Sequence, residues 1–201
     1  LILSISFTDG DGDLGLSKND IVFPYNPYNA IIDENLNWVT FGSTTAVPPF
    51  YVYKPNGSYK LLSNDDSRPS FNCQDYIIDT VFQTTELDTF YIQKNENNKN
   101  IFVDFYKKNG TEYKFVDWTR VFDEKLACGL DFNARFPPLN VSNKSQAISG
   151  QLEYAMVSYG FDMVLNNEIF KLKIKIKDKV LNNSNIIETA DMTLNSILSN
   201  N

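Results

Sequence analysis

The residues of this chain that are best suited to chemistry lie in one acidic segment near its start, residues 9–20. Aspartates at alternate positions are separated by glycines: Asp9, Asp11 and Asp13. This spacing lets a tight loop direct several hard oxygens at one point, which suits Ca²⁺ and its about six to eight oxygen ligands. The alternative is a solvent-exposed turn, because Asp and Gly are also common turn residues.

An EF-hand loop that starts at Asp9 would take further ligands from the Gly15 carbonyl, Ser17 and Asp20. The match is partial, since Leu14 stands where the sharp-turn glycine belongs and a strand precedes the loop. A true EF-hand is therefore not expected. A calcium loop on a β scaffold stays open beside the solvent-exposed turn, which the residue types favour slightly, and Asp178 or Asn183 of the later loop 178–185 would then complete the shell.

Composition excludes several classes of function. The chain has 201 residues and no histidine, which excludes His-dependent nucleophiles and His-ligated zinc. The 18 basic against 25 acidic residues give a net charge of −7, which argues against nucleic acid or an anionic membrane as a partner. We predict a protein that is not an enzyme. A hydrolase that uses two carboxylates is the less favoured alternative, because it needs no histidine.

The elements that would position the acidic segment follow a period of two, which is typical of strands with one buried face. Apolar residues alternate with polar ones from Leu1 to Phe7, directly before the acidic loop. From Phe170 to Lys177 they alternate with lysines, which we expect to lie in water; an anion-binding stripe is the alternative. Asn109-Gly110 between two β-rich runs predicts a hairpin with a type I′ turn.

Many short strands joined by turn residues favour an all-β sandwich with little helix. We predict one decorated domain over 1–201, with a long insertion at about 26–95. The further predicted strands are Trp38 to Phe41, Phe50 to Lys54, Tyr59 to Leu62, Tyr76 to Phe82, Leu87 to Lys94, Ile148 to Val157 and Ile186 to Leu194.

Aromatic residues suggest a second kind of site. The flat faces of exposed aromatic side chains could stack on sugar rings, so a glycan-binding module is the alternative function. Most aromatic residues of a sandwich belong to the core. The candidates are Trp38, Tyr51 and Tyr53, with Phe50 and Trp118 considered beside them.

The only two cysteines, Cys73 and Cys128, have two interpretations. A disulfide between them would indicate an oxidising compartment. Two separate buried thiols are the alternative, because free cysteine is among the most buried residue types.

Four segments resemble uncharacterised cell-envelope lipoproteins of Bacteroidetes-type bacteria: residues 5–15, residues 101–110, residues 133–139 with 148–154, and residues 176–189. The resemblance implies an immunoglobulin-like sandwich that is exported to the periplasm, the outer membrane or the exterior. The chain begins at Leu1 inside a predicted strand, so we expect a leader and a lipid anchor upstream of Leu1 to provide any membrane attachment. A polysaccharide or another envelope protein would be its partner. The resemblance carries no known activity.

Overall fold

A computed structural model describes residues 1–81, 84–121, 131–140, 145–158 and 160–198. The chain is all-β, and the described residues form three antiparallel sheets. The strands are β1 (Ile2–Asp9), β2 (Tyr28–Ile32), β3 (Phe50–Tyr53), β4 (Tyr59–Ser63), β5 (Tyr76–Thr80), β6 (Leu87–Lys94), β7 (Ile101–Asn109), β8 (Glu112–Phe115), β9 (Ile148–Ala155), β10 (Phe170–Ile176) and β11 (Ile187–Glu188). The helices are α1 (Trp118–Val121), α2 (Phe161–Leu165) and α3 (Leu194–Leu198), with a 3₁₀ turn at Glu96–Asn98.

The chain divides into two compact units. The described part of the first unit comes from Leu1–Lys18, Lys99–Val121 and Asp131–Asn201, and that of the second from Asn19–Asn98. The predicted insertion at about 26–95 therefore lies within the second unit.

The first unit contains two sheets that together are sandwich-like. One sheet pairs β1 with β9, and the other has the order β11-β10-β7-β8. Ile5 and Phe7 of β1 line the same cavity as Ile174 of β10, so the apolar faces of the two sheets turn towards each other. The alternation that predicted β1 is confirmed, since Ile5 is buried while Ser4 and Ser6 are exposed. The immunoglobulin-like connectivity stays a prediction.

An aromatic cluster fills the core of the first unit. Phe105 of β7 and Phe170 of β10 are fully buried on the same face of their sheet. Their neighbours lie in the segments that follow the strands: Trp118, Phe132 and Phe161, with ring centroids 4.9 to 5.5 Å from Phe105. Offset and edge-to-face aromatic contacts of this kind stabilise a core beyond the area that they bury.

The second unit is a five-stranded sheet in the order β4-β3-β2-β6-β5. Its core is a cluster of buried side chains: Ile31, Val39, Ala46, Phe50, Val52, Tyr76 and Tyr91. The central strand β2 was not predicted. It is buried from Asn29 to Ile32 and so lacks the one-sided alternation that identifies a strand in sequence.

The predicted hairpin is confirmed, but its turn lies one residue later than expected and is not type I′, because only one of its two central residues has positive φ. Asn109 already pairs with Glu112, so the loop residues are Gly110 and Thr111, and Gly110 has φ +63°. Two other strand predictions are wrong. Trp38 and Thr40 form only isolated bridges, and only Ile187–Glu188 is strand within the last predicted segment, which ends in the helix α3.

The expectation that the lysines of this alternation form a solvated row is confirmed only in part: Lys171 and Lys173 form ion pairs with Glu188 at the surface, but the row as a whole is not free in water. Lys177 is buried, and Lys171, Lys173 and Lys175 are half-buried. Each lies against an aromatic ring on the neighbouring strands, at 4.2 to 5.1 Å from the centroid: Lys171 on Tyr113, Lys173 on Tyr106, and Lys175 and Lys177 on Phe102. The aliphatic stems thus cover this face of the sheet while the ammonium groups face the π-electrons of the rings.

Candidate metal site and aromatic cavities

The strand β1 delivers the acidic loop, because Asp9 is its last residue and is paired with Ile148. The loop is then held by backbone hydrogen bonds to Phe136, Leu139 and Gln146. The Gln146 N–H donates to the Asp11 carbonyl (3.1 Å), the Leu139 N–H to the Leu14 carbonyl (3.0 Å), and the Leu16 N–H to the Phe136 carbonyl (3.0 Å). The backbone of the acidic loop is therefore fixed by its neighbours.

Two glycines permit this close packing. Gly12 has φ +74°, and a Cβ atom there would lie 2.5 Å from the Gln146 carbonyl oxygen. Gly15 has φ +107°, and its Cβ would overlap the Pro137 carbonyl oxygen and Pro138 Cα. Because glycine alone combines positive φ with such close approach, the backbone requires glycine at these two positions.

The fixed loop gathers three carboxylates. Asp9, Asp11 and Asp13 each present an oxygen, and these oxygens all lie within 4.8 Å of one another. Asp11 is exposed, whereas Asp9 and Asp13 are half-buried. Oδ2 of Asp9 and Oδ1 of Asp13 are inaccessible to solvent and accept no hydrogen bond from the described residues. The other oxygen of Asp13 accepts the Val180 N–H at 3.2 Å.

The environment raises the pKa of Asp13 from 3.8 to about 6. Burial contributes most, followed by the negative charges of Asp178, Asp11 and Asp9, and the hydrogen bond from Val180 opposes them. The cluster thus disfavours its own negative charge, and a bound cation would reverse that preference.

The structure brings Asp178 to this cluster, as an isolated bridge joins Leu14 to Asp178. The Asp178 carboxylate accepts hydrogen bonds from the Asn182 N–H (2.7 Å) and from Asn182 Nδ2 (2.8 Å). Asn183, the other residue suggested from this loop, pairs with Lys177 through its backbone. Asp178 is therefore close enough to act on Asp13 by its charge, while its oxygens are engaged locally.

The remaining predicted ligands are not among the residues whose carboxylate oxygens converge in the cluster. Gly15 is buried against Pro137, and the Ser17 carbonyl accepts a hydrogen bond from Arg135 at 2.7 Å. Asp20 belongs to the second unit. The three alternating aspartates, with the charge of Asp178, are the part of the predicted set that the first unit brings together.

The aromatic candidates separate into exposed and buried residues. Phe50 and Trp118 are buried core residues, so the expectation that they could present a ring to a ligand is wrong. Trp38 is 47% exposed and lines one cavity of the second unit, while Tyr51 lines another and contacts Tyr59 edge-on at 5.5 Å. Tyr53 is half-buried and pairs with Tyr59 across β3 and β4.

The cavity beside Trp38 contains two polar residues that sequence reasoning missed, Tyr28 and Asp79. The Tyr28 hydroxyl donates to Asp79 Oδ2 at 3.2 Å. No spacing in the sequence relates positions 28, 38 and 79, because the three are brought together by pairing within the sheet. The only signal in the sequence that could have pointed to this cavity is Asp79, which shares a face of its strand with the apolar Ile77.

Cys73 is half-buried, and Cys128 lies outside the described residues. The disulfide between them therefore stays a prediction. Among the described residues, no helix is long and apolar enough to cross a membrane.

Comparison with protein-family models, with curated proteins and with solved structures gave no match. The geometry of the two units is therefore the basis for any statement about function.

Proposed function

We propose that this protein is a non-catalytic, exported envelope module whose acidic loop binds Ca²⁺. The observation that carries this proposal is the pair of solvent-inaccessible carboxylate oxygens, Asp9 Oδ2 and Asp13 Oδ1, that accept no hydrogen bond within the described part of the chain. Burying an anionic oxygen without a donor or an opposite charge is costly. A cation between the three aspartates would satisfy both oxygens at once.

The chemistry of the donors favours calcium among the common cations. All three side chains offer carboxylate oxygens, which are ligands for hard cations. Mg²⁺ requires nearly ideal octahedral geometry, whereas Ca²⁺ accepts irregular sets of carboxylates, carbonyls and waters. The backbone of this loop is already fixed by Phe136, Leu139 and Gln146, so it cannot rearrange to give ideal octahedral geometry, and this favours the more tolerant ion.

The exported location is inferred from two considerations. Extracellular modules typically bind Ca²⁺ with a Kd of about 10⁻⁴ to 10⁻³ M, a range suited to exposed sites such as one that includes Asp11. The resemblance to envelope lipoproteins points the same way. The absence of histidine supports a non-catalytic role, because it excludes His-dependent nucleophiles and His-ligated zinc. In this proposal the ion stiffens the end of β1 and the segment packed against it.

Thermal unfolding with and without calcium tests the proposal. Ca²⁺ at about 100 times its Kd should stabilise the folded protein by about 2.7 kcal/mol relative to a chelator, and calorimetric titration should give a single site. The variant Asp13→Asn should lose most of this stabilisation. Glu153→Gln is the matched control, because Glu153 is an exposed carboxylate on β9 of the same unit, and it should respond like the wild type.

An unchanged melting temperature and no heat of binding in millimolar Ca²⁺ would reject the calcium site. Equal stabilisation of the wild type and Asp13→Asn would show that calcium binds elsewhere on the protein.

A further inference from the structure

The second unit has a cavity of about 280 Å³ whose lining is largely aromatic and aliphatic. Trp38 lies at its edge with 47% of its surface exposed, and its ring contacts Phe90 edge-to-face with centroids 5.2 Å apart. The residues that matter for binding are Tyr28, Trp38 and Phe90, the aliphatic Ile77 and Val81, and the carboxylate of Asp79. An exposed tryptophan beside a preformed apolar cavity is a common feature of ligand sites.

Sheet pairing places a second carboxylate beside Asp79, the one carboxylate that lines this cavity. Asp79 of β5 is directly opposite Asp88 of β6 in the antiparallel register. Residues that face each other in this way have neighbouring side chains, and like charges there destabilise the pairing. The sequence thus accepts an electrostatic cost at the mouth of an apolar cavity.

The two carboxylates have hydrogen bonds but no cationic partner. Asp79 accepts the Tyr28 hydroxyl at 3.2 Å and its neighbouring Thr80 N–H at 2.7 Å, and Asp88 accepts the Thr89 N–H at 2.6 Å. Neither forms an ion pair with any described lysine or arginine. Burial and the bond to Asp79 raise the pKa of Tyr28, so its hydroxyl stays a neutral donor. The cavity therefore carries negative charge.

We propose that the Trp38 cavity binds a small organic cation, a methylated or primary alkylammonium ion. The faces of Trp38 and its aromatic neighbours attract a cation through their quadrupoles, and Asp79 supplies the opposite charge. The aliphatic side chains of Ile77 and Val81 accept the apolar stem of the ligand.

This assignment differs from the glycan site expected for Trp38. A sugar presents several hydroxyl groups, and its binding site must pair them with donors and acceptors, since unpaired polar groups are costly when buried. The cavity offers one carboxylate and the hydroxyls of Tyr28 and Thr80 beside four apolar or aromatic side chains. A cation with an apolar body matches that lining better than a sugar ring does.

Binding can be followed by the fluorescence of Trp38, with choline, n-butylammonium, 3,3-dimethylbutan-1-ol and methyl glucoside as probes. The third probe has the shape of choline but no charge, and the last represents a sugar. The two cations should change the fluorescence saturably, and the neutral analogue should bind about tenfold more weakly.

Asp79→Asn, which keeps an oxygen acceptor but removes the charge, should weaken choline binding about tenfold. Asp65→Asn is its control, an exposed carboxylate elsewhere in the same unit, and should bind as the wild type does. Trp38→Leu should abolish the saturable signal, and ligand-observed NMR should then show that choline no longer binds. A melting curve for each variant establishes that it is folded.

Equal affinity for choline and its neutral analogue would overturn the proposal in favour of a purely apolar site. Binding of methyl glucoside without the cations would assign the cavity to sugars. Absence of saturable binding of any probe to the folded wild type would reject a ligand role for the cavity.

Discussion

Asp13 in the first unit and Asp33 in the second are both aspartates in loops that follow a strand. The pKa values of their carboxylates nevertheless shift in opposite directions. Asp33 is 1% exposed and accepts the N–H groups of Asn35 (2.9 Å), Asn37 (2.8 Å) and Val47 (3.4 Å), as well as Asn37 Nδ2 (3.0 Å). Asp13 is less buried but has one oxygen that is inaccessible to solvent and accepts nothing from the described residues.

The difference shows that hydrogen-bond donors can outweigh burial in setting the pKa of a carboxylate. Burial alone would raise the pKa of Asp33, but the four hydrogen bonds from Asn37, Val47 and Asn35 outweigh it and hold the pKa below 3.8. At Asp13, burial and the charges of neighbouring carboxylates raise the pKa to about 6, and a single backbone N–H opposes them. The loop of Asp33 thus supplies the donors that its carboxylate needs, whereas the loop of Asp13 leaves one oxygen for which we propose a cation.

The largest expected effect comes from Asp33→Ala. Removing this carboxylate leaves several N–H donors of the loop 33–47 without a buried acceptor, so we expect a loss of about 3 to 5 kcal/mol in the free energy of unfolding. Urea unfolding followed by circular dichroism measures the change. Glu34→Ala is the neighbouring control, since Glu34 is exposed, and should change stability by less than about 0.5 kcal/mol. A similar loss in both variants would mean that the hydrogen bonds of Asp33 are not what stabilises the loop.

The second-largest effect is expected for a substitution in the acidic loop, which tests whether backbone packing, and not the carboxylates, fixes that loop. Gly15→Ala forces an unfavourable φ and a clash with the backbone at Pro137, so we expect a loss of about 2 to 3 kcal/mol without calcium. Gly10→Ala is the matched control, because a Cβ there meets nothing within 4 Å and φ is not positive. Equal stability of the two variants in a urea titration would show that the loop can move away from residues 137–138.

The third prediction uses pH to separate the two aspartates. The folded pKa of Asp13, about 6, exceeds its unfolded value of 3.8, so in chelator its contribution to stability increases as pH falls from about 7 to 4. After allowance for solvent screening we expect on the order of 1 to 2 kcal/mol. Asp33 has the opposite sign, because its folded pKa lies below 3.8, and its contribution is lost only as pH falls below that value.

Urea unfolding between pH 4 and pH 7, compared for the wild type and Asp13→Asn, isolates the first contribution. The variant should be more stable than the wild type at pH 7 in chelator, and the difference should shrink towards pH 4. A constant difference across this range would contradict a raised pKa in the folded state.

The sequence predicts the parts of the molecule that depend on local periodicity. Alternation identified β1 and β10, and the spacing of Asp9, Asp11 and Asp13 was enough to predict that three carboxylates converge. The central strand β2 was missed, because a strand buried on both faces shows no alternation. Sheet pairing between distant strands also escapes local patterns, so residues that meet only through it could not be grouped from sequence.

Asp33 illustrates the same limit within one loop. In sequence it precedes Glu34 and resembles any acidic turn residue, and only the structure shows that four N–H groups converge on it. Asp13 and Asp33 thus have similar sequence surroundings, but the pKa of one is raised and that of the other is lowered. Donor geometry, which depends on the course of the backbone, makes the distinction.

The smallest expected effect distinguishes the contribution of burial to the raised pKa of Asp13 from that of the neighbouring charges. Asp178→Asn removes the largest charge contribution to the raised pKa of Asp13 while the amide oxygen can still accept from Asn182. The Asp13 pKa, measured by NMR titration of its carboxyl carbon in chelator, should fall from about 6 but stay above 3.8, because burial is the largest cause and is unchanged. A fall to 3.8 would make repulsion the dominant cause, and the cluster would then resemble an open acidic turn. No change would mean that the charge of Asp178 does not reach Asp13, and the calcium site would consist of the alternating aspartates alone.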